Sequence, residues 1–287
     1  MANRYSDLLS DTDLQVLGRV SGHLQGGDAA AWFRADPERI AAALDVPATL
    51  DQLFADDTAE PVATVSPLFL FAVIVHRGAT EIGATTHLPE RLPGRLVVPV
   101  FDGEVLARFA ASPAARLFLV ELLGSYTRVT SGPRWERSRG KLRRRRFSEM
   151  NPAQLAELAA SLPPQDRAGA YRRLGDLALF LNGVFPDSAS RQSLTPIELD
   201  RIVRSLPARS RVELGGLLQA QRVDATGPVL AALGPTWYRL AGELVPIPSM
   251  ATQLGEMADR FDQARRFLNF VTDRYLWRRR DGLFPVR

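Results

Sequence analysis

Apolar residues recur at helical spacing along most of the chain. Leu14, Leu17, Ser21 and Leu24 share one face, as do Leu174, Leu177 and Leu181, and again Leu199, Ile202, Val203 and Leu206. Leu117, Phe118, Val120, Leu122 and Leu123 make 113–127 a mostly buried helix. The cleanest pattern lies near the C-terminus, where Met250, Leu254, Met257, Phe261, Ala264, Leu268, Val271 and Tyr275 step by four and three without a break. That seam covers about four heptads. At about 1.5 Å per residue it predicts one helix of roughly 40–45 Å, opened by Pro248-Ser249. Phe267, Phe270 and Trp277 widen its apolar side. A wide seam suits packing inside its own domain better than a two-stranded coil. The competing reading makes Leu254, Met257, Phe261, Leu268, Val271 and Tyr275 an interface for a protein partner or a second copy.

Helix starts are marked by a recurring device, a capping residue followed by proline. It appears at Asp36-Pro37, Ser66-Pro67, Ser112-Pro113, Asn151-Pro152 and Thr195-Pro196. The cap side chain accepts a hydrogen bond from a free N–H, and proline at the first helical position has no N–H to leave unpaired. Thr195-Pro-Ile-Glu198 also fits a capping box, and Thr49-Leu-Asp-Gln52 is a second candidate. Only 78–101 resists, because Gly78, Gly83, Pro89, Pro93 and Gly94 interrupt any helix there. Within it Arg95–Phe101 reads as a short strand that Pro99 confines to a sheet edge. A weak internal echo pairs Tyr171-Arg-Arg-Leu-Gly175 with Tyr238-Arg-Leu-Ala-Gly242, and Phe180-Leu-Asn182 with Phe267-Leu-Asn269. The offsets are 67 and 87 residues, so the echo is similar helix packing around glycine and not a periodic repeat.

Composition adds little until charge is placed along the chain. At 287 residues, 46% hydrophobic and 24% charged, the chain is long enough for two ordinary domains or one large helical array. With no cysteine, disulfides, thiol catalysis and thiolate metal sites are excluded. The 36 basic residues comprise 35 Arg and Lys141, a bias that runs through the whole chain and marks no site by itself. Clustering does. Residues 1–127 carry a net −7, 128–146 carry +8, 147–247 balance, and 248–287 carry +3, so the formal +4 conceals a sharp segregation. The basic run holds Arg134, Trp135, Arg137, Arg139, Lys141, Arg143, Arg144, Arg145 and Arg146, with Glu136 its one acid. Such a patch attracts anions: nucleic acid, lipid headgroups, an acidic protein or the chain's own acidic part. Broken by Ser131-Gly132-Pro133 and Gly140, it reads as a basic loop or linker at 128–149 between an acidic helical part at 1–127 and a helical part at 150–287.

Catalytic patterns are mostly missing. There is no Gly-x-Ser-x-Gly elbow, no P-loop lysine and no dinucleotide-binding glycine fingerprint after a strand. His76, Glu81 and His87 surround a metal only if their loop folds back, and His23 stands apart. Asp7-x-x-x-Asp11 would put two carboxylates on one helix face, and Asp56-Asp57-x-x-Glu60 has a similar look; both read better as capping or loop acids. No catalytic residue, metal or cofactor is assigned. The first 30 residues show no basic start followed by an apolar stretch, and the longest uncharged run, 61–76, is shorter than the roughly 20 residues a membrane helix needs.

The expectation is therefore an all-α, two-part multi-helical array with a basic connecting loop, a long C-terminal amphipathic helix and at most a short β element near 95–101. The expected function is a non-catalytic helical interaction or adaptor protein, read as cytoplasmic. The alternatives are nucleic-acid binding through 134–146 and an enzyme whose site is assembled from distant residues.

Overall fold

The computed structural model describes residues 4–23, 27–54, 64–85, 87–92, 96–100, 102–138, 141–191, 193–211 and 226–276. The architecture is all-α and multi-helical, with two small two-stranded sheets. The chain divides into two compact units. Unit 1 takes Met1–Glu90, Pro99–Thr127 and Phe270–Phe284; unit 2 takes Arg91–Val98, Arg128–Asn269 and Pro285–Arg287.

Unit 1 holds α1 (Tyr5–Leu8), α2 (Asp11–Val20), α3 (Ala29–Ala35), α4 (Glu38–Leu44), α5 (Ala48–Leu53), α6 (Pro67–Ile82), α7 (Gly103–Ala110) and α8 (Pro113–Ser125). Its core is α6, in which every residue from Phe69 to His76 is buried. Helices α4, α5, α7 and α8 pack around it. Ser66 starts the helix by accepting a hydrogen bond from the Phe69 N–H, with Pro67 in the first turn. Gly78, expected to break the helix, lies buried inside it. A glycine costs about 1 kcal/mol in a helix interior, whereas each large apolar side chain buried here contributes about 1.5–3 kcal/mol. Packing wins. After α6, β1 (Leu88–Leu92) and β2 (Leu96–Val100) form a two-stranded sheet, so the short β element expected near 95–101 is present.

Unit 2 holds β3 (Ser131–Ser138), β4 (Lys141–Ser148), α9 (Pro152–Ser161), α10 (Ala168–Val184), α11 (Pro186–Arg191), α12 (Pro196–Ser205), α13 (Thr226–Leu244), α14 (Pro248–Asp259) and most of α15 (Phe261–Val271). Helix α10 is its centre, buried without interruption from Leu174 to Val184. The echoed motifs meet on it. A Cβ on Gly175 would stand 2.7 Å from ring carbons of Tyr238, and one on Gly183 would stand 2.7 Å from Leu268. Glycine at these two positions lets α13 and α15 approach closely. With its amide oriented to satisfy both groups, Asn269 donates to the Gly183 carbonyl at 2.9 Å and the Asn182 carbonyl at 3.3 Å.

Two elements differ from expectation. The basic segment is an antiparallel hairpin where a loop was expected. Gly132 and Pro133 lie inside β3, and Pro133 is tolerated because both strands of a two-stranded sheet are edges. The long C-terminal helix is two helices. Arg260 departs from helical geometry (φ −109°, ψ 22°) between α14 and α15, and a π-helical turn follows at Thr272–Leu276. Periodicity survives this interruption because the backbone turns without changing which side chains face inward.

Candidate nucleic-acid interface

The hairpin's register pairs Ser131 with Ser148, Pro133 with Arg146, Arg134 with Arg145, Trp135 with Arg144, Glu136 with Arg143, Arg137 with Leu142 and Ser138 with Lys141. Successive strand residues belong to opposite faces, and cross-strand partners share a face. One face therefore takes Pro133, Trp135, Arg137, Leu142, Arg144 and Arg146. The other takes Arg134, Glu136, Ser138, Lys141, Arg143 and Arg145. The four consecutive arginines are split two and two. Like charges directly opposite one another destabilise a strand pair, and Arg134 opposite Arg145 is such a pair. Arg139 lies outside the described residues.

The root of the hairpin is tied into the helices of unit 2. Glu149 N–H donates to the Thr130 carbonyl at 3.2 Å, and Arg173 on α10 reaches the Glu149 carboxylate at 3.0 Å. Ser148 N–H donates to Gln154 Oε1 at 2.9 Å, while Asn151 caps α9 by accepting from Gln154 N–H at 3.0 Å. The basic residues thus stand on strands whose base is fixed by a half-buried ion pair and a helix cap.

Other polar clusters lie elsewhere. In unit 1 the buried His76 ring has Tyr5 Oη 3.1 Å from Nε2 and Asp45 Oδ1 2.8 Å from Nδ1. Arg116 donates to the same Asp45 oxygen at 2.6 Å. These distances assign the ring proton to Nδ1, with Nε2 accepting from the phenol. Burial pushes the His76 imidazole down, against the opposing pull of Asp45. Partial burial works to raise Asp45, but its bonds to His76 and Arg116 hold the carboxyl below the usual range. Burial also pushes the Tyr5 phenol up. The arrangement locks a neutral imidazole of α6 against α1, the end of α4 and α8, a packing role. His76 shares no ligand set with Glu81, which pairs with Arg77 at 2.8 Å and Arg274 at 2.5 Å, and His87 is exposed. Among the described residues no group of three or more His, Asp or Glu has the geometry of a metal site. Asp7 and Asp11 stand on different helices, and Asp11 bonds Arg34 at 2.6 Å. Asp56, Asp57 and Glu60 lie outside the described residues.

The seam residues are placed in internal packing. Leu254, Met257, Phe261 and Leu268 are buried in unit 2 and Val271 in unit 1. Tyr275 is half-buried in unit 1, where burial and the neighbouring Glu81 push its phenol up to about 12. The chain itself covers this face. A cavity of about 540 Å³ opens near the hairpin root, lined by Ser148, Asn151, Leu181, Phe185, Glu198 and Thr226 among others. Among the described residues its one charged lining group, Glu198, already accepts from Thr195 N–H at 2.9 Å and Thr195 Oγ1–H at 2.8 Å. The cavity therefore does not extend an anion site. Sequence reasoning missed the strand pairing of the basic run and the Tyr5–His76–Asp45–Arg116 cluster. Alternation of Trp135, Arg137 and Leu142, Arg144 was the one available signal for the first, and the second joins residues up to 71 apart with no local signature. No protein-family model, curated protein or solved structure matches the chain. Among the described residues no helix is long and apolar enough to cross a membrane.

Proposed function

We propose that this protein is a non-catalytic binding protein whose β3–β4 hairpin holds the phosphate backbone of a nucleic acid. The register carries the reading: it distributes seven basic residues over two paired strands with one acid, and it sets Arg134 against Arg145. An anionic backbone relieves that repulsion, and guanidinium groups pair with phosphates without demanding one geometry. The partner-helix reading gives way because its seam is packed within the chain. A cytoplasmic setting belongs to the same proposal.

The test is fluorescence anisotropy with a labelled oligonucleotide across a salt series. Three to four phosphate contacts from one face give a slope of about −3 in log K against log salt, or about 40- to 150-fold weaker binding between about 50 and 200 mM. Replacing Arg143–Arg146 with Gln lowers affinity at every salt concentration and flattens the slope. Undetectable binding at low salt, or binding indifferent to the replacement, removes the proposal.

A further inference from the structure

Resting on that reading, we infer that the hairpin face bearing Trp135 selects single-stranded nucleic acid over duplex. The two faces are unequal. On one of them Glu136, opposite Arg143, brings the four cations Arg134, Lys141, Arg143 and Arg145 down to a net +3, equal to the other, so the faces differ in their apolar residues and in the acid rather than in net charge. The other carries Arg137, Arg144 and Arg146 with no acid, and places Trp135 opposite Arg144 with Leu142 and Pro133 on the same side. A ribbon built only for duplex phosphates gains nothing from an indole there, because the bases of a duplex are stacked on one another and present edges in the grooves. An unpaired base presents its π-face. Stacking on an aromatic residue beside cations that follow the backbone is the general solution for single strands, and it tolerates any base. The acid-free face supplies both parts at neighbouring register positions.

The register also explains why the two contributions reside on one face. On this face Trp135 lies between Pro133 and Arg137 on β3, opposite Arg144, which lies between Leu142 and Arg146 on β4, so each of the three cross-strand pairs holds one cation. A single strand laid along the ribbon meets one cation at each level, with the indole at the middle one.

The test compares a labelled oligothymidine with a duplex of equal length, using the full chain and the variants Trp135→Leu and Trp135→Phe. Leu keeps apolar bulk on the strand and removes the stacking surface, whereas Phe retains a ring. The expected result is tighter binding of the single strand by the unaltered protein. Trp135→Leu weakens it about 5- to 150-fold, duplex affinity stays within about twofold, and Trp135→Phe recovers most of the loss. Unchanged duplex binding reports that the hairpin is intact. An equal fall for both ligands makes Trp135 a structural residue and overturns the inference while nucleic-acid binding stands. Duplex preference in the unaltered protein overturns it too. Binding of neither ligand at low salt instead removes the underlying reading.

Discussion

His76 shows how one buried side chain sets a pH dependence. Tyr5, Asp45 and Arg116 are the titratable and charged groups that face it, and the depressed imidazole stays neutral in the folded chain. An unfolded histidine takes up a proton near its ordinary value of about 6.5. Below that pH the unfolded chain binds more protons than the folded one, so stability present above it is lost as pH falls towards the lowered folded value. Asp45, also depressed, extends the loss at more acidic pH in the same direction. Thermal melts should fall in midpoint from pH 7 to pH 5. A His76→Gln variant should melt lower at pH 7 and lose most of that slope; an unchanged slope would assign the acid sensitivity to other groups. In unit 2, Tyr238 donates to the buried Asp176 carboxylate at 2.9 Å. Tyr238→Phe leaves that acceptor short of a partner and should cost about 1.5–3 kcal/mol in urea unfolding, the range for hydrogen bonds to charged groups.

Among the elements, helix starts are the most legible. Four of the five cap-proline pairs, at Ser66, Ser112, Asn151 and Thr195, act as read, each accepting a hydrogen bond at the helix start. Asp36 accepts from Glu38 N–H at 3.2 Å with Pro37 between them. The Thr195–Glu198 capping box forms; the one proposed at Thr49 does not, because Thr49 is buried inside α5 and donates to the Ala43 carbonyl at 2.9 Å. A box at Ser10 and Asp13 forms without a sequence signature, because its fourth residue is Asp where the pattern has Glu or Gln. Helix α10 offers a paired test of packing against propensity. Gly175→Ala should destabilise by about 1–3 kcal/mol through overpacking against Tyr238. At Gly169 an added Cβ meets nothing within 4 Å, so Gly169→Ala should be neutral or stabilise by up to about 1 kcal/mol. Urea unfolding of both variants checks the opposite signs, and equal effects would mean the α10–α13 approach is looser than the geometry implies. The hairpin was illegible for a different reason. Arginine has no strong strand signal, and a run of identical charges hides the period of two.

For the whole molecule, segregated charge gives binding a thermodynamic signature. A ligand that binds the folded hairpin alone stabilises by mass action, about 2.7 kcal/mol at a free concentration 100 times its Kd. An oligonucleotide at that excess should raise the melting midpoint at low salt, and the rise should vanish at high salt. A shift that survives high salt would place the contact somewhere other than the basic hairpin. The chain path is the other feature of this scale. Residues Phe270–Phe284 are grouped with Met1–Glu90 in unit 1, so the seam that reads as one helix is shared between the units, Leu254–Leu268 in one and Val271 and Tyr275 in the other. What determines itself within a few residues was open to the sequence alone: the helical class, the capped helix starts, the apolar seam and the charge segregation. Caps, turns and periodic faces are local interactions, and charge segregation is fixed by residue order alone. Tertiary structure alone decided that the basic run pairs as two strands with unequal faces and that the seam is internal. It also placed His76 between Tyr5 and Asp45. The seam and His76 depend on contacts between residues far apart in the chain, whose free energies compare whole packed arrangements, whereas the hairpin pairs residues 3 to 17 apart and is hidden because a run of like charges masks its alternation.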